Sequence, residues 1–475
     1  MHRFIRRHIR GIAPLMVACL LLMIVARRFS SLDSVESEKT TTHATVVRVK
    51  QQELHPRLPP ARVRNATVKV AIARHPVHAP IKNYKKPDPT NRVTDFWQPV
   101  NGTQFKTRLF SAYYDTRGQR RVTVVGVASF RHRPVLYCVL WYNDTVTAGV
   151  RATSVLIMEH WNMNYTAIYF DCNLRARDPV PNAVSLVSHA DDTSPSNYAR
   201  VHKHADTPAP RNGRFSVCIK PLHYNYGDTL RLAEFVEFHR TMGAEFFTFY
   251  NHSVNADVTA LLQYYVERGV AEVLPWQLDI KSQREIRTEN MFAALNDCLL
   301  RNQRRYEYQV VVDVDEFIVP HLADDADYTQ LLRRLTAVRE DAYYVGAYCF
   351  RNTFFYSEWP DDAAAATLPL HLTTLAKTKR TQKTWPRGNR SKCIVRGADV
   401  TIMGNHLPWR FADGRQFSIV EEGVALLHHY RVCEYDGHDC VKTAPAVVDA
   451  TVYRWKDELL RRVATVLAAV TSSGS

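Results

Sequence analysis

Tyr308-Gln309-Val310-Val311-Val312-Asp313-Val314-Asp315-Glu316-Phe317-Ile318-Val319 decides how this chain is read. The three valines of Tyr308 to Val312 give that stretch the β-branched character of a buried strand. It then ends in acid. In extended backbone, residues i and i+2 point to the same side, so Asp313 and Asp315 are expected to present two carboxylates together. Adjacent carboxylates repel, and a hard divalent cation removes that penalty. Mg²⁺ or Mn²⁺ takes one or two carboxylates and fills its other positions with diphosphate oxygens and water. Such an ion also stabilises a departing nucleoside diphosphate. A bare Asp-x-Asp arises often by chance in surface loops. Here the pair is clamped between apolar segments, where unpaired acids are costly.

Outward from this stretch the pattern is strand–helix alternation. Ser216 to Leu222 reads as a strand. Asp228 can cap a helix whose Leu232, Phe235, Val236 and His239 share one face, with Gly243 as its stop. Phe246 to Tyr250 is the next strand. A helix from Asp257 carries Val258, Leu261, Leu262, Tyr265 and Val266 at helical spacing and ends at Gly269. Val270 to Leu274 is a third strand, and a third helix is expected from about Arg284 to Asn302. Successive β–α units predict an α/β fold with a mostly parallel sheet. The acid pair would lie at the carboxyl end of a central strand, where such sheets bind ligands. After Ala342 to Phe350 the order blurs, and a final helix is expected over about Ala450 to Ala469.

Upstream, from Phe96 to about His189, short alternating runs (Val122 to Val127, Val135 to Trp141, Ser154 to His160, Ala167 to Cys172, Ala183 to Val187) predict a small β-rich domain, sandwich-like. Asp191 to Asn212, with Pro195, Pro208 and Pro210, reads as a linker. Gly11 to Ala26 is uncharged and almost wholly apolar. Arg3, Arg6, Arg7 and Arg10 precede it, and Arg27 and Arg28 follow. It is shorter than the ~20 residues of an ordinary span but usable if the arginines snorkel. The arginine bias favours a cytosolic amino terminus. A cleaved signal peptide is the rival, disfavoured by Ile24 and by Arg27 directly after Ala26. The expected plan is a cytosolic tail (1–10), a membrane anchor (11–26), a polar stem (27–95), a β-rich domain (96–190), the α/β domain (214–440) and a helical carboxyl segment (441–475).

Composition agrees with a folded chain in an oxidising compartment. The sequence holds 475 residues, 46% of them hydrophobic, and a formal net charge of +15. A basic excess suits anionic partners, but no zinc-finger spacing or RNA-binding aromatic signature accompanies it, so nucleic acid is not expected. Apart from Cys19 in the apolar span, eight cysteines form an even set with no Cys-x-x-Cys. Cys433–Cys440 and Cys138–Cys172 are the pairings that proximity suggests. Glycosylation sequons stand at Asn65, Asn101, Asn143, Asn164, Asn251 and Asn389.

Pro221-Leu222-His223-Tyr224-Asn225, Glu234-Phe235, Met242-Gly243-Ala244, Tyr250, Asn296-Asp297-Cys298, Asp313 to Phe317 and His429-Tyr430-Arg431 occur in that order. Together they resemble glycosyltransferase family 92, from about Val217 to Cys433. The resemblance implies a GT-A type nucleotide-sugar-binding domain, an inverting mechanism and transfer of galactose from UDP-galactose in β linkage. It also implies a single-pass type II protein of the Golgi membrane, held by its amino-terminal helix, with the catalytic domain lumenal and a glycan as acceptor.

On that resemblance Asp315 is the expected metal ligand, with Asp313 on the metal or the ribose and His429 completing the metal site. His406 is the alternative to His429. Arg431 would contact the diphosphate, and Tyr224 and Asn225 the uracil and ribose. Glu316 has two readings, a support to the metal site or a residue on the far side of the strand. Arg390 and Lys392 could meet phosphates, and Trp359, Trp385 and Trp409 could face sugar rings. A general base is needed for inversion; Glu358, Glu421, Glu422 and Asp399 are candidates among which the sequence does not choose. The competing functions are a catalytically inactive lumenal glycan-binding protein on the same fold and a metal-dependent phosphohydrolase.

Overall fold

The computed structural model describes residues 95–143, 145–203, 211–434 and 439–473. The expected anchor, the stem up to 94, Cys19 and Asn65 lie outside the described residues. Among the described residues, no helix is long and apolar enough to cross a membrane.

The amino-terminal part is one nine-stranded sheet: β1 (Gln98–Pro99), β2 (Arg108–Asp115), β3 (Arg121–Ser129), β4 (Tyr137–Trp141), β5 (Val146–Arg151), β6 (Thr153–Leu156), β7 (Tyr165–Asn173), β8 (Ala183–Val187) and β9 (Ala199–His202). Its order is β5-β4-β8-β9-β2-β3-β7-β6, with β1 on β2. The two expected facing sheets are thus one continuous sheet. Its halves share a core of Leu109, Val122, Val124, Leu140, Ile168, Phe170, Val184 and Leu186, and the Cys138–Cys172 disulfide ties β4 to β7 within it. The expected linker is corrected in part. Ala199–His202 forms β9, which joins β8 to β2.

The α/β part follows as β10 (Arg211–Cys218), α1 (Thr229–Thr241), β11 (Ala244–Asn251), α2 (Ala256–Glu267), β12 (Ala271–Pro275), α3 (Met291–Asn302), β13 (Tyr306–Val311), β14 (Glu316–Pro320), α4 (Tyr328–Ala337), β15 (Val345–Phe350), β16 (Asn352–Tyr356), α5 (Thr373–Ala376), β17 (Lys379–Thr381), β18 (Lys392–Arg396), β19 (Val400–Met403), β20 (Pro408–Phe411), β21 (Gln416–Ile419), β22 (Ala425–Arg431), α6 (Cys440–Thr443), β23 (Ala446–Val448) and α7 (Lys456–Ser473). Asp228 caps α1 by accepting from the Arg231 amide at 3.0 Å, as expected of an Asp at that position. The third helix begins later than the expected Arg284. Thr288, Glu289 and Asn290 hold left-handed φ of 36°, 48° and 60°, a conformation in which L-residues do not continue a helix.

The central sheet runs β12-β11-β10-β13-β18-β15-β21. All strands but β18 run the same way, so the sheet is mostly parallel. The chain leaves β10 toward β11 and returns on its other side as β13, so the carboxyl ends of β10 and β13 form a topological switch point, the place where open α/β sheets bind ligands. A smaller sheet, β14-β22-β16, stands beside it. Phe235 and Phe238 of α1, Leu261 and Tyr265 of α2, and Leu459 and Val463 of α7 pack in one core. Phe292, Leu295 and Leu299 of α3 share a second core with Phe110 and Val125 of the amino-terminal sheet.

Asn296-Asp297-Cys298 on α3 joins these layers. Asn296 donates to the Met403 carbonyl and accepts from its amide, both at 2.8 Å, and accepts the Tyr169 hydroxyl of β7 at 2.8 Å. Asp297 is fully buried. It accepts from Ser111 and Tyr113 of β2, from Tyr250 of β11 and from Arg301. Cys298 is bonded to Cys218 of β10. A buried carboxylate is tolerated only when its lone pairs are met in this way.

Candidate functional site

Strand register assembles the site. Cys218 of β10 pairs with Val311 of β13, so Lys220 and Asp313, each two residues further on, emerge side by side. Lys220 Nζ lies 2.5 Å from Asp313 Oδ2. On the other flank Val311 pairs with Cys393 of the antiparallel β18, which brings Lys392 to 3.1 Å from the same oxygen. Lys392 is almost fully buried and stands 3.2 Å from Glu316 Oε2. One lysine from each neighbouring strand therefore compensates the acids at the end of β13.

Asp313 to Asp315 is a turn, not the expected extended segment. The Glu316 amide donates to the Asp313 carbonyl at 3.0 Å, and Glu316 Oε2 accepts the Asp313 amide at 2.9 Å. The two aspartates are placed by this turn rather than by strand alternation. Glu316 then opens β14 and pairs with His429 of β22. His429 Nε2 lies 3.3 Å from Asp315 Oδ2, and its Nδ1 lies 3.4 Å from Glu316 Oε1 and 3.1 Å from Asn352 Nδ2. Of the two readings of Glu316, the geometry gives the support: it braces both the turn and the imidazole.

Burial alone would raise the Asp313 carboxyl, but the charges of Lys220 and Lys392 hold it well below the usual range. Burial also works against Asp315, yet His429 beside it and Arg231 keep its pKa lowered. Glu316 goes the other way: burial raises it, reinforced by the nearby aspartates. Burial and the charges of Lys392 and Lys220 hold His406 down at about 3. His406 thus stands beside the lysines, while His429 is the histidine in contact with Asp315.

The donor set fits a divalent cation. Asp315 and His429 offer a carboxylate oxygen and an imidazole nitrogen, and Asp315 is the more exposed of the acid pair, with 34% of its side chain accessible against 22% for Asp313. Among the described residues Asp313 Oδ1 is buried with no hydrogen-bond partner, an orphan that a cation or a ribose hydroxyl would satisfy. An oxygen–nitrogen set suits Mn²⁺ better than Mg²⁺, which prefers oxygen alone.

The remaining candidates lie around this cluster. Tyr224 and Asn225 hold left-handed φ in the loop after β10, and Tyr224 is 73% exposed. Tyr226 of the same loop comes within electrostatic range of Asp315, and its buried hydroxyl has no hydrogen-bond partner among the described residues. Arg431 sits at the end of β22, paired with Glu434 and close enough to Arg390 to lower its pKa behind the larger effect of burial. Trp359 is buried and donates to the Val441 carbonyl. Trp385 packs on Phe354. Trp409 is 56% exposed and donates to Glu159, which also accepts the Asn405 amide. Of the candidate bases, Glu358 accepts the Cys433 amide, Glu421 pairs with Arg387, Glu422 accepts from Thr384, and Asp399 lies between Arg396 and Arg415. Lys220 and Tyr226 were not among the candidates read from the sequence. The Lys220–Asp313 contact follows from the pairing of β10 with β13, which no local signal carries.

Over 378 residues, 76% of this chain and 82% of the relative, the sequence is 23% identical to beta-1,4-galactosyltransferase galt-1 of Caenorhabditis elegans. Over 85 residues, 16% of this chain and 17% of the relative, it is 28% identical to a glycosyltransferase family 92 protein of the same organism. Among solved structures, the crystal structure of S. aureus TarS 1–349 aligns with a TM-score of 0.25 and 15% identity over 53% of this chain and 71% of that one. The family model of glycosyltransferase family 92 matches residues 213–464, more than half of the chain and the whole of the site just described, and the chain belongs to that family.

Proposed function

We propose that this chain is a metal-dependent, inverting hexosyltransferase. It moves galactose from UDP-galactose in β linkage to a glycan acceptor. On this reading the domain is of GT-A type and works in the Golgi lumen, carried by residues 11–26 as a type II anchor. The observation that carries the reading is the 3.3 Å approach of His429 Nε2 to Asp315 Oδ2 at the carboxyl end of β13, at the switch point where open α/β sheets take nucleotides.

Asp315 and His429 would hold Mn²⁺ or Mg²⁺, with Asp313 toward the ion or the ribose. When bound, the ion supplies positive charge to the diphosphate as it leaves. The chain's own residues do the rest. Glu316 and Asn352 hold the imidazole in place. Lys220 and Lys392 keep Asp313 ionised and add positive potential to the site. Arg431 and Arg390 stand at the rim on the β22 side for phosphate oxygens. Tyr224 and Asn225 line the loop expected to meet the uracil and ribose. Trp409, exposed beside Asn405, offers an open aromatic face to an acceptor sugar.

The test is donor turnover by the full-length chain. UDP release should be greatest with UDP-galactose and Mn²⁺, should stop with a chelator, and should give a glycan product one hexose heavier. Asp315→Ala should lower turnover at least about 100-fold, as loss of a directly acting electrostatic group does, with the fold intact by circular dichroism. Full turnover in that variant would remove the proposed role. Glycan binding without donor turnover would instead favour an inactive glycan-binding protein.

A further inference from the structure

A second set of metal-ligating side chains lies on the opposite face of β22. Neighbouring residues of a strand point to opposite sides, so His428 faces away from the cluster that holds His429. There it meets His321, which directly follows β14, and Asp449, which directly follows β23. The His321 and His428 Nε2 atoms are 3.2 Å apart, and each lies 3.6 Å from Asp449 Oδ2.

These separations are those of a coordination polyhedron. Zinc bonds of about 2.0–2.1 Å at the tetrahedral angle place neighbouring ligand atoms about 3.3–3.4 Å apart. An octahedral ion with similar bonds would bring them to about 3.0 Å. The observed triangle lies nearer the tetrahedral value. Two imidazoles and a carboxylate are also a borderline-soft set, which suits zinc over Mg²⁺ or Ca²⁺.

The surroundings support ligation. Arg380 Nε donates to Asp449 Oδ2 at 2.8 Å, and the Thr451 hydroxyl donates to Oδ1 at 2.7 Å. These bonds orient the carboxylate as outer partners of metal ligands do. The Tyr430 hydroxyl lies 3.4 Å from His428 Nδ1, so that nitrogen faces a polar partner while Nε2 faces the other two ligands. His428 is fully buried, Asp449 nearly so, and His321 is 17% accessible. A fourth position would reach water on the His321 side.

We propose that His321, His428 and Asp449 form a zinc site distinct from the Asp315–His429 cluster. Its three ligands come from the ends of β14 and β23 and from β22. The ion would clamp the carboxyl-terminal segment that leads into α7 onto the small sheet carrying His429. The proposal does not rest on glycosyl transfer.

The test is metal content of the full-length chain, purified without a polyhistidine tag, by inductively coupled plasma mass spectrometry. The expected result is close to one zinc per chain in the unaltered protein and in Asp315→Ala, with loss in His321→Ala and His428→Gln. After chelator stripping, Co²⁺ should give the strong visible bands of a tetrahedral site in the unaltered chain and not in His321→Ala, whose metal affinity should fall more than about 100-fold. His321 is the least buried ligand, so its variant decides the matter should His428→Gln fail to fold. No zinc and no cobalt bands in the unaltered chain would overturn the proposal. So would a different stoichiometric metal, or zinc retained in His321→Ala and lost in Asp315→Ala.

Discussion

The Tyr113 hydroxyl of the amino-terminal sheet donates to Asp297 of α3 across 2.6 Å, between two fully enclosed groups. Burial, with the carboxylate beside it, pushes the Tyr113 phenol far above its ordinary range, so it remains a donor at any working pH. The β-rich part is thus bonded into the α/β part at the helix that also carries Cys298. A bond to a buried charge is worth about 1.5–3 kcal/mol. Tyr113→Phe should lower stability to denaturant by that amount and leave kcat at room temperature unchanged. A midpoint equal to that of the unaltered chain would show that the two parts are held together elsewhere.

Glu316 touches no expected substrate atom, yet it braces both the Asp313 turn and His429. Within the glycosyltransferase reading, Glu316→Gln should raise the Mn²⁺ concentration needed for half-maximal turnover about 10- to 100-fold. Turnover at saturating Mn²⁺ should stay close to normal. A drop in kcat with an unchanged metal requirement would contradict a positioning role.

Trp409 is the one of the three candidate tryptophans with an open face. Trp409→Ala should raise the acceptor KM about 10-fold, since a stacked aromatic is worth roughly 0.5–1.5 kcal/mol beyond its area. The donor KM should not move. Kinetics with both substrates varied would separate the two, and a change in donor KM alone would place Trp409 outside the acceptor path.

Asp95 supplies a pH dependence away from the site. Burial would raise its carboxyl, but Arg301 at 2.7 Å and His202 at 2.9 Å hold it down at about 2, against an ordinary value of 3.8. A depressed folded pKa stabilises the fold at pH values above the ordinary one, and the benefit is lost as pH falls through the folded value. The difference amounts to about 2 kcal/mol. Urea unfolding between pH 4.5 and pH 2.5 should therefore steepen in the unaltered chain, and Asp95→Asn should flatten that slope. Parallel slopes would rule the contribution out.

Asp313 and Asp315 were legible because a local signal marks them, a valine run ending in acid; His429 was named through the family resemblance, since a histidine at the end of an apolar strand is often only a core residue. The α1 cap and the strand–helix alternation were likewise legible from local signals. Other features depended on pairings far along the chain. Lys220 and Lys392 lie 93 and 79 residues, respectively, from Asp313 in sequence and meet it only through the β10–β13–β18 register. Cys138–Cys172 and Cys433–Cys440 were suggested by proximity. Cys218–Cys298, separated by 80 residues, and Cys349–Cys393, separated by 44, were not. The late start of α3 reflects backbone fixed by tertiary bonds, with Trp276 Nε1 donating to the Glu289 carbonyl at 2.6 Å. No propensity reports such a constraint.

Both lysines that flank Asp313 are rooted beside a half-cystine. Lys220 follows Cys218 by two residues, and Lys392 directly precedes Cys393. Bridges of this kind persist in oxidising surroundings and not in a reducing cytosol. Protein manufactured in an ordinary bacterial host would thus lack the covalent staples that anchor its charge-balancing pair. Secretory expression, or oxidative refolding checked by thiol counting, is the preparation in which an enzymatic assay of this molecule has meaning.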